Sequence, residues 1–76
     1  MTELEWRQNF SKQIRRKLVA NGFDQRELAK RSNLSEVSIS RYIQCRRSPK
    51  GTDILKIALA LNCTVDELVN FGESIK

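Results

Sequence analysis

Apolar residues recur at every fourth position near the start of the chain: Trp6, Phe10, Ile14 and Leu18, with Arg7, Lys12, Arg15 and Arg16 between them. That spacing predicts a helix with one apolar stripe turned to a core. Asn21-Gly22 stops it, because glycine accepts the left-handed C-cap conformation and Phe23 can fold back onto the last turn. Asp24 is placed to cap a second, short helix, with Glu27 at capping-box spacing, Leu28 and Ala29 facing inward, and an end near Arg31. Ser32-Asn33-Leu34 reads as a tight turn. Ser35 is then a good N-cap for a third helix that ends near Gln44 and turns Ile39 and Tyr42-Ile43 inward.

From Cys45 to Gly51 the chain is a polar, basic loop. Ser48 or Thr52 is expected to cap a fourth helix, with Ile54, Leu55, Ile57, Ala58 and Leu61 as its inner face and Asn62 as its left-handed end. Thr64 and Glu67 stand at capping-box spacing for a fifth helix carrying Val65, Leu68 and Val69, which Gly72 ends, leaving residues 73–76 as a frayed tail. There is no strand pattern, repeat or internal linker. The expectation is one compact, all-α, five-helix domain over residues 1–76.

Charge sharpens this picture. Of the net +5, the whole surplus lies between Gln25 and Lys50, where Arg26, Lys30, Arg31, Arg41, Arg46, Arg47 and Lys50 are opposed only by Glu27 and Glu36. The rest of the chain is balanced. Such a concentration is the footprint of an acidic partner, nucleic acid before an anionic membrane surface. Arg15, Arg16 and Lys17 are adjacent on the first helix, so at least one of them faces away from any partner bound at the second and third helices.

Other chemistries are disfavoured. A chain of 76 residues has little interior in which to exclude water around a reaction. It has no histidine, no glycine-rich phosphate loop and no paired carboxylates in an evident pocket, so neither an enzyme, a cofactor nor a metal site is expected. Cys45 and Cys63 are too few for a disulfide framework and are expected as free thiols. The N-terminus, Met1 to Trp6, is acidic and amphipathic, unlike a secretory leader, and no apolar run approaches membrane-spanning length.

The unit over residues 25–44 asks for two short helices crossing steeply over a turn of about three or four residues. Ala29 is small enough to sit at the crossing, Asn33 tolerates a positive φ in the turn, and Leu34 and Ile39 plug the second helix onto the first. With Gln25-x-Glu-Leu-Ala29, Leu34-Ser35-x-x-x-Ile39-Ser40-Arg41, Ser48-Pro49 and the run Leu55 to Leu68, residues 14–69 resemble the lambdoid phage repressor family, the Cro/C1 or xenobiotic-response-element type of helix-turn-helix.

The resemblance implies a sequence-specific regulator of transcription, a repressor that binds a palindromic double-stranded DNA operator through the major groove as a homodimer, in the bacterial cytoplasm or nucleoid or in a phage host's cytoplasm. It implies base contacts from Ser35, Glu36, Val37 and Arg41 and a phosphate contact from Gln25, with Ser38 reaching phosphate or a base edge. Gln44 and the basic loop's Arg46, Arg47 and Lys50, beside the recognition helix, are expected on phosphates. The side chains suit those roles. Arginine pairs bidentately with guanine O6 and N7, a carboxylate accepts from cytosine N4, and valine meets a thymine methyl. The dimer contact falls to the fourth and fifth helices or the Phe71 region. A second role open to the same fold is that of an antitoxin or antirepressor, a protein-interaction module. Two departures from the family pattern stand out. Gln44-Cys45 replaces a common Asn-Gly, and cysteine takes a positive φ less readily than glycine, so the helix end or loop path is expected to differ there. Glu36 replaces a common glutamine and carries a negative charge toward phosphate.

Overall fold

The computed structural model describes residues 2–69. Five helices follow in order: α1 (Glu3–Asn21), α2 (Gln25–Ser32), α3 (Glu36–Ile43), α4 (Gly51–Ala60) and α5 (Val65–Val69). No strand occurs among the described residues. The expected stop at Gly72, the Phe71 region and the tail over 73–76 lie outside them.

Four of the five helices start on a side-chain cap, and α1 to α4 stop on one shared backbone pattern. Thr2 and Glu5 form a reciprocal capping box at α1. Asp24 caps α2 by accepting from the Glu27 N–H, Ser35 caps α3 by accepting from the Ser38 N–H, and Thr64 and Glu67 exchange the expected pair of bonds at α5. The ends are more uniform than the sequence suggests. α1 to α4 all close with the same two backbone bonds, made by a left-handed residue and its successor back to carbonyls three and five residues earlier. The left-handed residues are Gly22, Asn33, Cys45 and Asn62, with φ of 70°, 61°, 62° and 57°.

α1 and α2 both pack against α3, α2 and α4 pack together, and α5 closes on α1 and α4. Phe10, Ile14, Leu18, Leu28, Ala29, Ile39, Tyr42, Ile57, Ala58, Leu61 and Leu68 fill the interior. Trp6 stacks on Phe10 at 5.3 Å between ring centroids, and Phe10 meets Tyr42 edge-on. Tyr42 is therefore core, as its inward placement predicts.

Two expectations about α4 are corrected. Its N-cap is Lys50, extended and without a side-chain cap bond, instead of Ser48 or Thr52. Thr52 lies inside the first turn, and the Ser48 hydroxyl is taken by α1, donating to the Glu3 carboxylate at 2.7 Å and accepting from Arg7 Nε at 3.0 Å. Leu55 is not on the inner face but 51% exposed. Ile54, Ile57, Ala58 and Leu61, at the i, i+3, i+4, i+7 spacing of one stripe, make the side of α4 that packs on the core, where α2 and α5 are its main neighbours. Leu55 lies beside the stripe with Leu59, which is 71% exposed.

Candidate nucleic-acid interface

α3 is held on three sides, leaving its fourth to solvent. From α1, the Ser11 hydroxyl donates to the Ile43 carbonyl at 2.6 Å, satisfying one of the carbonyls that a helix end leaves open. From α2, Asn33 and Leu34 turn the chain so sharply that Ser35 can cap the next helix at once. From α4, Asp53 accepts a hydrogen bond from the Tyr42 hydroxyl. Burial of the phenol, reinforced by the Asp53 carboxylate, pushes its pKa up to about 12, so Tyr42 stays a neutral donor at physiological pH.

The inner face of α3 is Ile39, Tyr42 and the half-buried Ile43. What remains outside is Glu36, Val37, Ser40, Arg41 and Gln44, one stripe on the opposite side. Together with Gln25 from the start of α2 and Arg46 from the following loop, these residues line one shallow, open groove. Six of the seven are residues the sequence reading singled out: Gln25, Glu36, Val37, Arg41, Gln44 and Arg46. All six are exposed, Val37 by 58% despite its apolar side chain.

The other predicted residues sit apart from that groove. Ser35 is exposed, but its hydroxyl is occupied by the cap and by a 3.0 Å bond with the Ser38 hydroxyl, and Ser38 is half-buried. Arg47 and Lys50 are exposed in the loop before α4. The Ser48 contacts with Glu3 and Arg7 pin that loop to α1, and hydrogen bonds from Ser48 and then Arg7 hold the Glu3 carboxyl below its ordinary range. Gln44 folds back so that its amide donates to Ser40 Oγ at 2.8 Å. Within the groove its carbonyl oxygen and the Arg41 and Arg46 guanidinium groups remain available.

The structure also brings in two residues missed in the sequence. Ser40 lies on the outer stripe, one turn after Glu36, and helical spacing alone would have found it. Arg26, the second residue of α2, forms an ion pair with Glu36 across the turn, Nε to Oε2 3.9 Å. No sequence spacing predicts that pair, because it depends on the crossing of α2 and α3.

The Cys45 expectation is corrected in one respect. Cysteine does enter the left-handed region, and the helix end keeps the same pair of closing bonds as α2, Cys45 N–H to Tyr42 and Arg46 N–H to Arg41. The half-buried thiol lies 3.7 Å from the Arg7 carbonyl. Neither Cys45 nor Cys63 is in a disulfide. Among the described residues no cluster of His, Cys, Asp or Glu is arranged to hold a metal ion, and no helix is long and apolar enough to cross a membrane.

Comparison with known proteins agrees with this geometry. The sequence profile of the helix-turn-helix family matches residues 14–68. Two solved structures are similar. The restriction-modification controller protein C.AhdI from Aeromonas hydrophila is 29% identical, with a TM-score of 0.78 over 82% of this chain and 94% of its own. The hypothetical transcription factor NHTF from Neisseria is 26% identical, with a TM-score of 0.83 over 91% of this chain and 79% of its own. No curated protein sequence matches. With the profile spanning the turn, the groove and the helices that brace them, the chain belongs to the Cro/C1-type helix-turn-helix family of DNA-binding transcriptional regulators.

Proposed function

We propose that the protein is a repressor that binds a palindromic operator as a homodimer, with α3 in the major groove. The observation that carries this reading is the open groove itself. Its lining mixes a bidentate donor (Arg41), an acceptor (Glu36) and an apolar contact (Val37), the three chemistries that distinguish base edges in the major groove. Ser35, exposed at the cap position, reaches a base edge by giving up its 3.0 Å bond to the Ser38 hydroxyl. Gln25, Ser38, Gln44, Arg46, Arg47 and Lys50 contact phosphates on either side, and position α3 without reading sequence. The uncovered Leu55 and Leu59, one turn apart on α4, supply the contact between two copies. A neighbour named as a restriction-modification controller and another named as a transcription factor fit a regulatory role for this fold.

Selection from a random duplex pool tests the proposal. The expected product is an inverted repeat whose half-site centres lie roughly 34–36 Å apart, bound with a steep loss of affinity as salt rises. Enrichment of no sequence, or binding indifferent to salt, overturns it. Within the same experiment, Arg41→Ala is expected to relax preference at one base pair, a loss of ~1–3 kcal/mol there, whereas Arg47→Ala weakens all sequences about equally.

A further inference from the structure

A carboxylate on the reading face of a DNA-binding helix is a liability. Glu36 opens α3, its side chain is 63% exposed, and it lines the groove beside Arg41. Brought against duplex DNA unpaired, it meets a polyanion and loses water without return. The fold answers this with a residue from the other helix of the motif. Arg26 stands 3.9 Å away through Nε, and its side chain is 84% exposed, so the rest of the guanidinium remains open to solvent. In the free protein such a pair contributes little, because water screens both partners. Against a bound duplex part of that water is displaced, and the same pair is screened less.

We propose that Arg26 is a specificity-determining partner of Glu36. It neutralises the carboxylate at the DNA surface through Nε and offers its remaining N–H groups to a phosphate. It thereby holds one Glu36 oxygen toward the major groove to accept from a cytosine amino group. Guanidinium suits the task, since its donors lie in a fixed planar fork and can serve two acceptors at once. This inference rests on the placement of α3 in the major groove. It adds that one base-pair preference belongs to a pair of residues on two helices, not to α3 alone.

The test is a double-mutant cycle on DNA with wild type, Arg26→Gln, Glu36→Gln and the double variant. Both side chains are exposed, so thermal melts of all four are expected to coincide. Random-pool selection first identifies the base pair whose preference Glu36→Gln changes. Affinities for the selected duplex, and for one with that pair replaced, are then measured by fluorescence anisotropy. Arg26→Gln is expected to weaken the selected duplex roughly tenfold and to flatten preference at that same pair. In the Glu36→Gln background the Arg26→Gln change is expected to alter no preference and to weaken binding by about threefold or less, the loss of one phosphate contact. If Arg26→Gln weakens every duplex equally and leaves the selected sequence intact, Arg26 is a phosphate contact only and the proposal fails. If it changes nothing, the pair is a solvated surface contact and the proposal fails likewise. A wild-type protein that enriches no sequence overturns the operator reading itself, a result separate from either of these.

Discussion

The Tyr42 hydroxyl donates to the Asp53 carboxylate, joining the last turn of α3 to the first turn of α4 across the basic loop between them. With the Ser48 contacts that pin the loop to α1, this bond helps set the spacing of Arg41 on the helix and of Arg46, Arg47 and Lys50 on the loop. Tyr42→Phe keeps the ring and its edge-on contact with Phe10 but removes the donor. A hydrogen bond to a charged group contributes about 1.5–3 kcal/mol, and Asp53, only half-buried, recovers part of that from water. The expected loss is ~1–2 kcal/mol, read as a fall in melting temperature of roughly 4–8 °C per kcal/mol. An unchanged melt would show that the bond does not hold the two helices together.

At Cys45 the chain accepts a left-handed residue that carries a side chain, with φ 62°. That conformation costs roughly 1–2 kcal/mol for an L-residue, while glycine gives back about 0.5–1 kcal/mol through its more mobile unfolded state. The thiol is a weak donor, so its contacts, 3.7 Å to the Arg7 carbonyl and 3.9 Å to the Ile43 carbonyl, offset little of that cost. Cys45→Gly is therefore expected to raise stability by ~0.5–1 kcal/mol. Cys45→Val is expected to lower it, because a β-branched side chain suits this region least. Equilibrium urea unfolding of the two variants checks the order, and a more stable valine variant would contradict the strain argument.

These ends also show what was legible in the sequence. Gly22, Asn33 and Asn62 announced three of the four left-handed stops because their side chains favour that conformation, and Asp24, Ser35 and Thr64 announced three starts. Cys45 carried no such signal, and the closing bonds around it are made by backbone atoms, which any residue can supply. The outer stripe of α3 was legible because helical spacing separates it from Ile39 and Tyr42. Missing from the sequence were contacts between residues far apart in the chain: Ser11 on the Ile43 carbonyl, and Ser48 held by Glu3 and Arg7. Leu55 was misplaced for the same reason. Whether a leucine beside an apolar stripe is covered depends on which helices pack there, and periodicity does not carry that information.

The α1–α5 junction predicts a pH dependence. Glu67 accepts from Lys17 at 2.7 Å and from the Thr64 backbone N–H at 3.0 Å. These bonds, Lys17 first, lower its pKa from the ordinary value of 4.5 to about 2. Because the folded-state pKa is the lower one, the contribution is fully present above the unfolded carboxylate range and disappears as pH falls from about 4.5 through about 2. Wild type is expected to melt above Glu67→Gln at neutral pH, with the gap closing over that acid window. A gap that stays constant into the acid range would mean that the ionised form of Glu67 is not what ties α5 to α1.

Leu59 separates the stability of the fold from the assembly of two copies. Its side chain is 71% exposed and covers no core residue, so Leu59→Glu is expected to leave unfolding within ~0.5 kcal/mol of wild type. If Leu55 and Leu59 form the contact between two copies, a charge there repels its counterpart across the two-fold axis. Binding to a full inverted repeat is then expected to fall by roughly ten- to a hundredfold, since the second half-site is no longer engaged as part of one assembly. Affinity for an isolated half-site should not change, because the groove over Gln25, Glu36 and Arg41 is untouched. Sedimentation velocity with and without the operator duplex reports the stoichiometry directly. Two copies of the Leu59→Glu variant bound as tightly as wild type would place the dimer contact elsewhere on the surface.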